Sequence, residues 1–440
     1  MILDLISVMV HKMLKPVVIL ALKTVYRNID LIRKDRIPKE GPVIFVANHP
    51  TAFIDPVLLA ALQDRTVHFL TRGDYFNSRL FGAFLTLLHV RPLYRLNESG
   101  FAKVKTNLST FNLLFHPDGK RETILVSVEG NATHEKRMRP VKKGAARIAF
   151  DTLESGGFEE IYLVPVGFTY TYAEQFRSQV MMIFDDPISG SDFLEIYREN
   201  KARGITALTE EIKKRLEDNV VILNRDREDV AEAFFVLYRS DHPRPFWPVI
   251  THQEEQLSAE KAIGDGVNAM DDQEYHRWNE LQKAYFTALE QAGLEDATLV
   301  RKNAAGLLNT VMLIAGFLPA ALGYLWAWLP LLPGKYLAEQ KVRRLEFKIS
   351  VQMGVGLGAF LVYTTLWLLI SLLTANIWIA VLIPVLFAAA YFCIWYEELW
   401  HKWRQDYRLH RLPLQEHGTL IILREQLAAG LKALLPPAAP

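Results

Sequence analysis

The chain has 440 residues, half of them hydrophobic, enough for one large domain or two ordinary ones with a full core, which excludes a structureless chain. Its 50 lysines and arginines nearly balance 49 aspartates and glutamates, so no global basic field argues for a nucleic-acid partner and charge effects must be local. The single cysteine, Cys393, allows no intramolecular disulfide and no thiolate-rich metal site, which fits a reducing, cytosol-facing catalytic part.

The N-terminal run MILDLISVMVHKMLKPVVILALKTVY lacks a basic leader and an obvious small-residue cleavage site, so it does not read as a signal peptide. His11, Lys12 and Lys15 interrupt it before the ~20 apolar residues that crossing a bilayer requires. Residues 1–35 are therefore expected to hold an interfacial amphipathic helix, with a plain packing helix as the alternative.

From about Pro38 to Asn224, short apolar runs alternate with helical patterns. The runs are VIFVA (43–47), VHFLT (67–71), ILVSV (124–128), IYLVPV (161–166) and VMMIF (180–184). Each is continuous and bounded by polar, glycine or proline punctuation, as strands buried on both faces are. The expectation over 36–225 is an α/β domain, a mixed sheet with helices on both faces. Residues 226–302 lose the runs and turn to polar helical pattern, with Asp271-Asp272 as a cap ahead of Tyr275, Trp278, Leu281 and Tyr285. This reads as a helical extension without visible chemistry.

The last third changes solvent. Residues 349–374 and 377–396 carry no acidic or basic side chain, and each is long enough to span a bilayer. Ala375 and Asn376 alone separate them, which predicts a tight antiparallel hairpin over 349–396. Lysine- and arginine-rich segments flank it, GKYLAEQKVRRLEFK before and HKWRQDYRLHR after, so the positive-inside rule puts both ends on the cytoplasmic side. The preceding apolar run, 304–333, then begins and ends on one side if the α/β domain is cytoplasmic too. Pro319, with Gly316 and Gly323 around it, would permit a re-entrant or shallow hairpin there; a simple third span is the alternative. The membrane region is drawn as 303–398 and an amphipathic cytoplasmic tail as 399–440. Trp395, Tyr396, Trp400 and Trp403 read as interfacial anchors rather than as a stacking surface for bases.

Chemistry is suggested first by NHPTAFIDP, Asn48 to Pro56, directly after the run VIFVA. Aspartate before proline marks a helix start, so Asp55 is expected to cap a helix beginning at Pro56, with His49 on the loop leaving the strand. A helix over 49–55 would set the two side chains about 120° apart in axial view, so a loop is needed to bring them together. Capping accounts for Asp55 alone and not for Asn48-His49.

Three more segments follow in order: RPLYR (91–95), VEGNATHEKRMRPVKKGAARIA (128–149) and VPVG (164–167). With NHPTAFIDP they resemble the four blocks of the glycerolipid acyltransferase family, to which glycerol-3-phosphate and lysophosphatidate acyltransferases belong, over roughly residues 35–190. The resemblance implies transfer of a fatty acyl group from acyl-coenzyme A or acyl carrier protein to a hydroxyl of glycerol 3-phosphate or 1-acylglycerol 3-phosphate. The thioester would be a co-substrate, with no bound cofactor, and the other partner a membrane lipid. Localisation would be integral to a membrane, with the catalytic domain on the cytoplasmic face.

Such a transfer needs a base with a pKa near about 7 to take the hydroxyl proton, which is histidine's range. A carboxylate on the other ring nitrogen fixes the tautomer and stabilises the imidazolium. His49 is thus assigned as base and Asp55 as its orienter, with the nucleophile supplied by the substrate. The acceptor's phosphate calls for guanidinium or ammonium groups. Arg95 occupies the position resembling the family's second-block arginine; Arg91 is a further phosphate ligand or a solvated surface charge. Glu129-Gly130 resembles the pair that shapes the acceptor site, and Arg139, Lys142 and Lys143 add positive charge, Lys142 where a family lysine is common. Pro165 either shapes the acyl-donor side of the cleft or is an edge-strand proline.

Three departures stand out. Five residues, Pro50 to Ile54, separate histidine from aspartate where four are common. Ser127-Val128-Glu129-Gly130-Asn131 replaces phenylalanine-proline-glutamate-glycine-threonine. Ala132 stands where an arginine is common. An acceptor different from plain glycerol phosphate therefore stays open, for instance an acylated amino acid, as does a non-catalytic membrane scaffold of the same fold. His116 and His134 lack ligand-spaced partners, so no metal site is expected.

Overall fold

The apolar runs of the first half become strands of one sheet in the computed structural model, which describes residues 2–93, 122–155, 158–301 and 304–436. The chain divides into two units. The first comprises Met1–Val220, Val249–Glu254 and Arg344–Ser350; the second comprises Val221–Pro248, Glu255–Arg343 and Val351–Pro440.

In the first unit the strands are β1 (Tyr26–Ile32), β2 (Val43–Ala47), β3 (Thr66–Arg72), β4 (Val90–Leu93), β5 (Glu122–Ser127), β6 (Tyr162–Tyr170), β7 (Ser178–Phe184), β8 (Ile188–Ser189) and β9 (Ile250–Thr251). Their order is β4-β3-β5-β2-β6-β7-β1-β9, with β8 beside β6. β4, β3, β5, β2 and β6 run parallel, and β7 joins antiparallel to β6, so the sheet is mixed. Its centre is VIFVA: Val43, Ile44, Phe45 and Val46 are wholly buried, as a strand covered on both faces must be. The helices are α1 (Ile2–Val25), α2 (Ile54–Leu62), α3 (Arg79–Leu87), α4 (Gly144–Ser155), α5 (Leu194–Glu199) and α6 (Lys201–Asp218). Behind the parallel strands, Ala146, Ala149 and Phe150 of α4 join Leu208, Ile212 and Leu216 of α6 in one buried cluster.

Three expectations are corrected here. The N-terminal helix stops at Val25, and residues 26–32 enter the sheet as β1. Leu22 and Val25 are buried whereas Met13 and Leu20 stay exposed, so the helix packs on one face and leaves an apolar face open. Pro165 is not on an edge strand. It lies in β6, opposite Val46 of β2, in the gap where β6 changes its other partner from β8 to β7, and its carbonyl accepts from the Asp185 N–H at 3.0 Å. A proline is tolerated there because the gap asks no N–H of it. The third is β9, which returns to the sheet beside β1 from within the stretch read as purely helical.

The second unit is helical: α7 (Glu228–Asp241), α8 (Glu255–Ala269), α9 (Asp272–Ala292), α10 (Asp296–Val300), α11 (Leu307–Gln340), α12 (Leu345–Leu373, whose first turns belong to the first unit), α13 (Ile377–Arg411) and α14 (Leu414–Leu434). Asp271 caps α9, accepting from the Glu274 N–H at 2.8 Å, and Gly293 ends it with φ 62°. Among the described residues three helices, α11, α12 and α13, are long and apolar enough to cross a membrane. α11 is continuous through Pro319, Pro330 and Pro333, which replaces the re-entrant hairpin drawn over 304–333. The close helix pair is α11 with α13: Gly323 lies on the Ala389 backbone, Gly316 on the rings of Phe392 and Tyr396, and the Tyr396 hydroxyl donates to the Leu313 carbonyl at 3.1 Å. Small residues let the backbones approach as in other membrane helix pairs. α13 thus packs along α11 rather than folding back tightly on α12. Within 399–440, drawn as an amphipathic tail, α13 continues to Arg411 and α14 buries Leu420, Leu427 and Leu431.

Gly167 of β6 faces the Asn219 carbonyl so closely that a Cβ would collide with backbone. Gly167→Ala is expected to lower stability by about 1–3 kcal/mol through overpacking, read as an earlier denaturation midpoint of the full-length protein.

Candidate active site

Because β5, β2 and β6 lie side by side and parallel, their carboxyl ends deliver Glu129, His49 and Tyr170 to one place. Ligand sites of open α/β sheets lie at such ends. His49 leaves β2 on a short loop and turns its Nδ1 to 3.0 Å from Asp55 Oδ2. The imidazole keeps 14% exposure against 2% for the carboxylate, so the dyad has a buried end and an accessible one. With Nδ1 donating to the carboxylate, Nε2 carries the lone pair.

Asp55 does not cap the following helix. α2 starts at Ile54 rather than Pro56, Phe53 stands at its N-cap, and Asp55 sits in the first turn. Its carboxylate is occupied instead: Oδ2 takes the Thr51 N–H at 3.0 Å beside His49, and Oδ1 takes the Thr51 and Tyr170 hydroxyls, each at 2.6 Å. Four donors thus converge on this buried carboxylate, as a buried charged group requires. Burial first, then the charge of Asp55, pushes the Tyr170 phenol well above the usual tyrosine range, so it stays a donor.

The backbone around His49 is equally determined. Glu129, buried after β5, accepts the His49 N–H at 3.0 Å, and the Thr133 N–H donates to the His49 carbonyl at 3.1 Å. The Asn48 side chain brackets Phe168 of β6, accepting from its N–H at 2.7 Å and donating to its carbonyl at 2.9 Å.

The residues expected to bind phosphate are less convergent. Glu129 also takes the Arg139 N–H at 3.0 Å and its guanidinium at 2.7 Å, so this glutamate anchors the His49 backbone and engages Arg139. Gly130 has φ 82° and lies under the Lys142 ammonium. Lys143 turns to the Thr206 hydroxyl at 2.8 Å. Arg91 is on the edge strand β4, three strands from β2, with Nη1 3.4 Å from the Thr86 carbonyl. Arg95 and His116 lie outside the described residues. His134 sits 3.3 Å from Glu174. Among the described residues no group of three His, Cys, Asp or Glu is placed to hold a metal ion. A cavity of about 590 Å³ lined by Arg33, Lys39, Arg65 and His252 lies at the opposite end of the strands from His49.

Residues 28–169, which take in most of β1, the dyad and most of β6, match the family profile described as Acyltransferase. This part of the chain is an acyltransferase-family domain. An uncharacterised acyltransferase of Schizosaccharomyces pombe is 31% identical over 85 residues, 19% of this chain and 13% of that protein. A 1-acyl-sn-glycerol-3-phosphate acyltransferase of Bacillus subtilis is 22% identical over 195 residues, 43% of this chain and 87% of that one. Among solved structures, the 1-acyl-sn-glycerophosphate acyltransferase PlsC of Thermotoga maritima aligns with 48% of this chain and 81% of its own at 16% identity, with a TM-score of 0.35.

Two groups of the acyltransferase domain escape sequence reasoning. Tyr170 lies 115 residues from Asp55, and nothing local to β6 marks it. Thr51 sits inside the first block, where a hydroxyl four residues before the aspartate was the available signal. Glu129→Ala would leave the His49 N–H without its acceptor and deprive Arg139 of its nearest carboxylate. A loss of about 3 kcal/mol is expected, at the low end for breaking a buried pair, measured by chemical denaturation.

Proposed function

We propose that this protein is a membrane-bound O-acyltransferase that moves a fatty acyl group from a thioester, acyl-coenzyme A or acyl carrier protein, to a hydroxyl of glycerol 3-phosphate or 1-acylglycerol 3-phosphate. The observation that carries the reading is the His49–Asp55 contact within a family-matching domain: an imidazole with one accessible edge backed by a buried, four-fold hydrogen-bonded carboxylate.

In this reading the acceptor hydroxyl gives its proton to His49 Nε2 as its oxygen attacks the thioester carbonyl. The C–S bond breaks, the ester remains on the acceptor, and the departing thiolate takes the proton back from the imidazolium. Asp55 holds the tautomer and stabilises the imidazolium without taking the proton. The domain would face the cytoplasm, where the thioesters are, and the three apolar helices would keep acyl chain and product in lipid. Exposing the chain to water would cost about 0.8 kcal/mol per CH₂.

A second acceptor class is favoured by one observation. Arg139 is engaged by Glu129, Lys143 by Thr206 and Arg91 by the Thr86 carbonyl. With these cations occupied, a phosphate-free hydroxyl acceptor, such as an acylated amino acid, is the alternative.

Purified full-length protein given labelled acyl donor and each acceptor in turn is expected to acylate a glycerol phosphate; labelling of the phosphate-free lipid alone would decide for the second class. His49→Ala should lower the rate by at least 10²-fold, the scale of losing a general base, and Asp55→Asn by a comparable factor. Unchanged turnover in His49→Ala would leave the chain a scaffold.

A further inference from the structure

The loop that carries the candidate base is gripped by a segment almost three hundred residues away. The Phe53 N–H donates to Ser350 Oγ at 3.3 Å across 297 residues of sequence, and the Ala52 N–H donates to the Glu346 carbonyl at 3.1 Å. The Phe53 ring meets Phe347 edge-on with centroids 5.8 Å apart. On the other side of His49, Arg344 Nη2 donates to the Ala132 carbonyl at 2.8 Å, its guanidinium 5.3 Å from the Phe347 ring centroid.

These contacts fall where the site needs them. Ala52 and Phe53 belong to the stretch between His49 and Asp55, and Phe53 is the N-cap of α2 with no side-chain hydrogen bond of its own. Backbone N–H groups at a helix start have no intrahelical acceptor and must find one elsewhere. Ser350, 8% exposed, and the Glu346 carbonyl supply the acceptors. Ala132 is bonded to the residue whose N–H holds the His49 carbonyl, Thr133. One seven-residue segment, Arg344–Ser350, therefore ties the loop after the base to the turn that supports it.

We propose that Arg344–Ser350 is a positioning strap of the acyltransferase centre, which sets the imidazole and its carboxylate in register without touching the reacting atoms. The inference rests on the function proposed above. In acyl transfer, a shift of about 1 Å in the base relative to the hydroxyl costs on the order of 10²-fold, so a strap of this kind is read in kcat rather than in substrate affinity.

The test uses the full-length protein in nanodiscs with Ser350→Ala, Ser350→Thr, Phe347→Ala, and the pair Arg344→Gln and Arg344→Lys. Ser350→Ala and Phe347→Ala are expected to lower kcat by about 10- to 10²-fold with KM for acyl donor and acceptor unchanged, as for an interaction that acts on the chemical step alone. Ser350→Thr should restore most of the rate, and Arg344→Lys more than Arg344→Gln. Amide exchange at residues 52 and 53 should quicken in Ser350→Ala while the denaturation midpoint holds. An unchanged kcat in any folded Ser350→Ala and Phe347→Ala pair, or a loss that follows the midpoint alone, would overturn the strap. Wild-type protein that transfers no acyl group would overturn the functional reading as well, and is told apart because it precedes any substitution.

Discussion

A buried carboxylate held under a histidine is the constraint on which the site is built. Removing that charge from water is costly unless every lone pair finds a donor. Asp55 meets the requirement with groups from three residues: His49 and Thr51 of its own loop, and Tyr170 from the far end of β6. The loop conformation, the early start of α2 and the register of β6 against β2 all follow from placing those donors. Tyr170 suits the role because burial and the neighbouring charge keep its proton on.

The parallel centre of the sheet turns this local demand into architecture. Strands β5, β2 and β6 end at one level, so Glu129, His49 and Tyr170 meet although they are far apart in sequence. Glu129 then does for the backbone what Asp55 does for the ring, fixing the His49 N–H while Thr133 fixes the carbonyl. An imidazole whose peptide is held at both ends and whose Nδ1 is bonded has little freedom left except at Nε2. That is the preorganisation a general base requires, since orientation and not basicity alone sets its efficiency.

How far the amino-acid sequence disclosed this depended on the range of each interaction. Runs such as VIFVA announced their strands because burial of both faces leaves a continuous apolar signature. β1 did not, because Asn28 and Asp30 are buried polar residues inside it, and β9 is two residues long. His49 and Asp55 were visible as a short motif, whereas Tyr170, Ser350 and the role of Glu129 depend on contacts across 80 to 297 residues that no local pattern encodes. The prolines of α11 suggested a break that water would have enforced. The helix runs through all three without a break, as apolar helices allow where the freed backbone groups are met by other means.

The extra residue between histidine and aspartate has a physical resolution of the same kind. If α2 began at Pro56, all of Pro50 to Ile54 would have to be loop, and Asp55 would be committed to capping. Starting the helix at Ile54 draws that residue and Asp55 into the first turn, leaving Pro50 to Phe53 to make the bend. The bend closes because Thr51 spans it, donating its N–H and hydroxyl to the Asp55 carboxylate and accepting the Asp55 N–H at 3.1 Å. The carboxylate gives up the cap and gains the imidazole at 3.0 Å. The Phe53 and Ala52 N–H groups, which precede the first turn of α2 and have no acceptor within it, are met instead by a distant serine and a distant carbonyl.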